Sequence, residues 1–131
     1  MRRPGPTHFE RIGGAEGVRR LVDRFYDLMD MEPEAAAIRV LHPPSLEASR
    51  DKLYLFLTGW LGGPPLYVER VGPPMLRARH LSFPIGDAER DAWMLCMGRA
   101  LEEQEMPGEL RDFLRDRFRA LADHMRNRPD G

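Results

Sequence analysis

Apolar residues recur at helical spacing in four stretches of this chain. Between about Ala15 and Met31, the residues Val18, Leu21, Val22, Phe25, Leu28 and Met29 fall on one face of a helix, with charged residues between them. Tyr26 stands one step round from Phe25, at the edge of that face. From Leu46 to Leu61 the inward set is Leu46, Ser49, Leu53, Phe56, Leu57 and Trp60. From Ala88 to Glu105 it is Trp93, Met94, Met97 and Leu101. A last helix, opened by Pro107, carries Leu110, Phe113, Leu114, Phe118, Leu121 and Met125.

Polar and turn-forming residues punctuate these stretches. Thr7 suits the N-cap of a short helix through Ile12, which Gly13-Gly14 ends. Pro33 fits the first turn of a second short helix, Glu34 to Leu41, stopped by His42-Pro43-Pro44 because residues before proline avoid helical angles. Ser45 is the predicted N-cap of the helix from Leu46, and Gly62-Gly63-Pro64-Pro65 breaks it. Leu66 to Pro74 reads as irregular; Leu66-Tyr67-Val68 has strand character, but no second strand exists to pair with it. Met75 to Ser82 is predicted as one or two helical turns. Pro84, Gly86 and Asp87 make the next break, with Asp87 as N-cap. The prediction is all-α, with one helix pair before residues 76–84 and one after.

Composition narrows the class. At 131 residues the chain is expected to form one domain, residues 7–131, behind a loose Pro/Gly tail at 1–6. No run of about 18 apolar residues is present, so no membrane span is expected. The basic N-terminal residues have no apolar stretch behind them, so a cytoplasmic location is the expectation. All but one of the 20 basic residues are arginine, the exception being Lys52. The net charge is nevertheless −1, and acids interrupt any basic stripe, which argues against nucleic acid as a partner. Cys96 is alone, which excludes an internal disulfide; set among Met94, Leu95 and Met97, it reads as a buried, inert thiol.

The histidines are His8, His42, His80 and His124. None forms a His-x-x-x-His or Glu-x-x-His pair, so a zinc or di-iron bundle site is not supported. His8 and His124 read as surface residues. His80 sits in Leu76-Arg77-Ala78-Arg79-His80-Leu81-Ser82-Phe83-Pro84, with apolar neighbours and two arginines directly before it. That company fits a hydrogen-bonded core histidine. It also fits a metal ligand within a haem slot, where apolar walls take the macrocycle and cations meet the propionates.

Several further motifs separate these readings. They are Gly13-Gly14, Arg24-Phe25-Tyr26, Trp60-Leu61-Gly62-Gly63-Pro64, Leu76-Arg77-Ala78-Arg79-His80, Phe83-Pro84-Ile85 and Glu89-Arg90-Asp91-Ala92-Trp93. In this order and spacing, over about residues 9 to 100, the chain resembles the group II truncated haemoglobins. The resemblance implies a two-over-two helical sandwich around haem b (iron protoporphyrin IX), held without covalent attachment. It implies His80 as the axial ligand of the iron, and Tyr26, His42, Ser49, Leu53 and Trp93 as the distal side. Lys52, Tyr67 and Arg79 match positions that commonly meet the propionates. The implied activity is binding of dioxygen, with nitric oxide, carbon monoxide or peroxide as other small ligands. The alternative is a haem-dependent redox enzyme, a nitric oxide dioxygenase or peroxidase, which would need an external reductase because the chain carries no flavin or nicotinamide module. A monomer or weak homodimer is expected.

Overall fold

The computed structural model describes residues 6–75 and 83–127. Among them there are helices and turns and no strand. The elements are α1 (His8–Arg11), α2 (Gly14–Met31), a 3-10 turn at Pro33–Ala35 running into α3 (Ala36–Arg39), α4 (Glu47–Trp60), α5 (Leu66–Arg70), α6 (Asp87–Glu103) and α7 (Gly108–His124).

Local chemistry sets the boundaries. The Thr7 hydroxyl accepts from the Glu10 N–H at 3.1 Å, which caps α1. Gly13 and Gly14 then turn the chain at φ 109° and 67°, angles that favour glycine. All six predicted core residues of α2 are buried. Ser45 lies one place outside its predicted role: Leu46 occupies the cap position, and the Ser45 hydroxyl accepts from the Glu47 N–H at 3.3 Å. Asp87 is likewise the first residue of α6 and not its cap. The cap is Gly86, whose N–H donates to the Glu89 carboxylate at 2.7 Å.

The stretch from Leu66, predicted as irregular, is instead a helix. Pro65 precedes it, where a missing N–H costs nothing, and the Glu69 N–H donates to the Pro65 carbonyl at 3.1 Å. Gly72, at φ 111°, ends it with its N–H 3.1 Å from the Val68 carbonyl oxygen. Phe113 is a second correction. It is 40% exposed, because it lies on the flank of α7 and stacks on His8 at 4.6 Å between ring centroids. The tail at residues 1–5, the predicted turns after Met75 and residues 128–131 lie outside the described residues.

The long helices pack as two pairs: α2 with α4, and α6 with α7, with α2 also against α6. This is the two-over-two helical sandwich expected from the sequence. Phe25, Leu21, Met29, Leu57, Met97, Leu101, Leu114 and Phe118 fill its centre. The Arg24 guanidinium pairs with Glu103 to join α2 to α6. Arg111 donates to the Leu101 and Gln104 carbonyls at 3.1 and 3.0 Å, covering exposed acceptors at the end of α6. None of the described helices is long and apolar enough to cross a membrane.

Candidate functional site

Beside the core, a cavity of about 620 Å³ opens between the two helix pairs. That volume lies in the range of small-molecule and cofactor sites. Apolar walls come from Ile38, Leu41, Leu53, Phe56, Ile85 and Leu121, and the polar contribution from Tyr26, His42, Ser49, Lys52, Tyr67 and Trp93. Seven predicted site residues, Tyr26, His42, Ser49, Lys52, Leu53, Tyr67 and Trp93, are therefore brought together. His80 and Arg79 lie outside the described residues.

Each side chain reaches the cavity for a local reason. Phe25 is anchored in the core, and the next residue round α2, Tyr26, lies at the cavity with only 6% of its surface exposed. The two rings meet edge to face at 4.9 Å. Trp93, from α6, also packs on Phe25, with 5.1 Å between ring centroids. Neither the Tyr26 hydroxyl nor the Trp93 indole N–H has a hydrogen-bond partner among the described residues. Both are donors lining one apolar space. Burial pushes the Tyr26 phenol well above its ordinary pKa, against an opposing pull from the Arg50 charge. It is accordingly a neutral O–H donor at any physiological pH.

His42 is held by the loop that follows α3. Arg39 organises that loop by donating to the Pro43 and Pro44 carbonyls at 2.9 and 2.7 Å and to Asp30 at 2.9 Å. Nδ1 of His42 lies 2.8 Å from the Ile38 carbonyl oxygen, which places the ring proton on Nδ1. In the neutral ring Nε2 is then an acceptor, and only protonation makes it a donor. Its ring stands edge-on to Tyr26 at 5.9 Å.

On the α4 wall, Ser49, Leu53 and Phe56 follow one another at helical spacing, and all three are half-buried. Tyr67, buried on α5, meets Phe56 edge to face at 6.1 Å. Lys52 is exposed at the rim and makes no ion pair with a described residue. Arg90, also at the cavity, is already engaged by Asp87, Asp91 and Asp123. A flat apolar group with anionic edges fits this lining: apolar walls, two unspent donors and an uncommitted cation at the rim. No cluster of His, Cys, Asp and Glu able to hold a bare metal ion occurs among the described residues.

Ile38, Leu41, Phe56, Ile85 and Leu121 were not predicted as cavity residues. Phe56 and Leu121 did stand out in the helical periodicity, as members of a buried face.

The family described as bacterial-like globin matches residues 7–127. Group 2 truncated hemoglobin YjbI of Bacillus subtilis (strain 168) is 43% identical over 122 residues, which are 93% of this chain and 89% of that protein. The solved group II 2-on-2 hemoglobin from the plant pathogen Agrobacterium tumefaciens has a TM-score of 0.92 at 49% identity, covering 100% of both chains. The truncated oxygen-avid haemoglobin from Bacillus subtilis has a TM-score of 0.85 at 43% identity, covering 93% of this chain and 100% of that one.

Proposed function

The chain belongs to the bacterial-like globins and, among them, to the group II truncated haemoglobins, and we propose that it uses haem b to bind dioxygen and related small ligands. The haem, when bound, supplies the iron at which such a ligand is held. Everything else falls to this chain's own side chains.

Leu53, Phe56, Ile38 and Ile85 line the cavity and would cover the apolar faces of the group and keep water out. Lys52 and Tyr67, together with Arg79, would meet its propionates. His80 would hold the iron. Its support is its sequence, an imidazole directly behind Arg77 and Arg79, and its position three residues before Phe83, which lines the cavity. Tyr26 and Trp93 donate to the ligand, Ser49 leaves room for it, and His42 borders the ring of Tyr26. The resemblance to a haemoglobin described as oxygen-avid supports dioxygen as the ligand.

The observation that carries this reading is the pair of donors. Tyr26 and Trp93 come from different helices, both pack on Phe25 and line the same cavity, and neither has a hydrogen-bond partner among the described residues. A net hydrogen bond contributes about 0.5–1.5 kcal/mol, so each donor should slow ligand release by roughly two- to tenfold. Stopped-flow dioxygen release from Tyr26→Phe and Trp93→Phe is the test. Faster release in both is expected, with effects that need not add, because the two donors share one acceptor. Wild-type rates in both variants would remove the donor assignment. His80→Ala should abolish or grossly alter the haem absorption band, and an unchanged spectrum would remove the ligand assignment.

A further inference from the structure

Five charged residues alternate along the seam between α2 and α4: Asp51, Arg19, Asp23, Arg50 and Asp27. Arg19 donates to Asp51 at 2.9 Å and to Asp23 at 3.3 Å. Arg50 donates from Nη1 to the Asp23 carbonyl at 3.0 Å and its carboxylate at 3.3 Å, and from Nη2 to the Asp27 carboxylate at 2.8 Å. Each arginine also lies over a tyrosine ring. Arg19 is 5.7 Å from the centre of Tyr54, and Arg50 is 5.8 Å from the centre of Tyr26. Of these two tyrosines, Tyr26 lines the cavity.

Arg50 is more than a link between helices. Its side chain is 22% exposed, and three acceptors on α2 fix the plane of its guanidinium. Asp23 and Asp27 are one helical turn apart on α2 and Tyr26 lies between them in the chain, so the cation gripped by the two carboxylates is held beside the ring it covers. A fixed cation over the ring restricts where the ring can lie. It also stabilises the negative charge that gathers on the phenol oxygen when its O–H donates.

We propose that Arg50, clamped by Asp23 and Asp27, is a positioning residue for Tyr26 that sets the place of its hydroxyl in the cavity and strengthens it as a donor. This rests on Tyr26 being a ligand donor, and the two claims separate experimentally. In the haem-loaded protein, Arg50→Gln should speed dioxygen release about two- to fivefold. Arg50→Lys keeps the charge but loses the fork that reaches both aspartates, and should fall between Arg50→Gln and wild type. In a Tyr26→Phe background, Arg50→Gln should change nothing further, since the ring remains but the hydroxyl is gone. A second readout is the ¹³Cζ resonance of Tyr26 in the carbon monoxide complex, identified by its loss in Tyr26→Phe and expected to shift in Arg50→Gln.

An Arg50→Gln effect of equal size in both backgrounds would overturn the proposal, because the arginine would then act on the seam and not through Tyr26. So would an unchanged rate where Tyr26 is present. If Tyr26→Phe alone releases dioxygen at the wild-type rate, the donor reading fails. Positioning is then judged by the resonance, and an unshifted signal in Arg50→Gln overturns it.

Discussion

Two buried weak acids, Tyr26 on α2 and Cys96 on α6, respond to alkaline pH. Cys96 is fully buried, and burial, with help from the Glu32 charge and against Arg99, pushes its thiol up to about 11. Burial likewise raises the Tyr26 phenol. For both groups the folded chain holds the proton more tightly than the unfolded chain does. Their contribution to stability is therefore complete below the unfolded values and is lost as pH rises through the folded ones. The window for Cys96 runs from about 9, the value of an exposed thiol, to about 11, and Tyr26 extends the same trend upward. Urea midpoints should fall across that window, and Cys96→Ala should flatten its lower part; an equal slope in the variant would assign the loss to other groups. At pH 8 the native thiol should resist a disulfide reagent and react fully once unfolded. The thiol's burial was legible because its sequence neighbours are apolar. The role of Tyr26 was less so: periodicity puts it at the edge of a face, and only the cavity beside α2 decides between solvent and pocket.

At the scale of elements, Gly17 shows tertiary packing overruling helical propensity. In an isolated helix, replacing an interior glycine by alanine gains about 1 kcal/mol. Here an added Cβ would stand 2.0 Å from the Ile12 carbonyl oxygen, where α1 turns into α2. That neighbour is backbone, and it also accepts from Gln104 at 3.3 Å, so it cannot move away cheaply. Gly17→Ala should therefore destabilise by about 1–3 kcal/mol, the usual cost of overpacking. Equal or higher stability by urea unfolding would show that the α1–α2 corner yields. The long helices could be read from the chain because each has one face against protein. α5 could not, since five residues are too few for a periodic signal and Leu66-Tyr67-Val68 suits a strand equally well. What makes it helical is Pro65 before it and Gly72 after it. Phe113 misled for the opposite reason: it keeps helical spacing yet serves a surface stack with His8 and Arg117.

For the molecule as a whole, the cavity draws on α2, α4, α5, α6 and α7 and on the loop after α3. Of its polar members, periodicity marks Tyr26 at the edge of a face and Ser49 and Trp93 within one, while the pocket roles of these residues and of His42, Lys52 and Tyr67 came from the resemblance to the truncated haemoglobins. Its apolar members other than Leu53 were not legible, because burial against a flat apolar group and burial against protein give the same periodicity; Phe56 and Leu121 illustrate this. Asn127, just after α7, is hydrogen-bonded to two residues of the cavity wall, Phe83 and Ile85. Asn127 donates from its backbone N–H to the Ile85 carbonyl at 2.8 Å, accepts the Ile85 N–H on its side chain at 3.0 Å, and donates from Nδ2 to the Phe83 carbonyl at 2.9 Å. The exit of α7 is thereby fastened to the strip of chain that lines the cavity just before α6. Asn127→Ala removes the two side-chain bonds and should cost about 1–3 kcal/mol. Asn127→Asp keeps the acceptor, loses the donor, and should cost less. Because a group bound only by the folded state stabilises it by mass action, loosening this fastening should also speed haem transfer to a scavenger protein. The order expected is wild type slowest, then Asn127→Asp, then Asn127→Ala. If haem transfer is equal in all three while the urea midpoints separate, the fastening supports the fold without guarding the cavity.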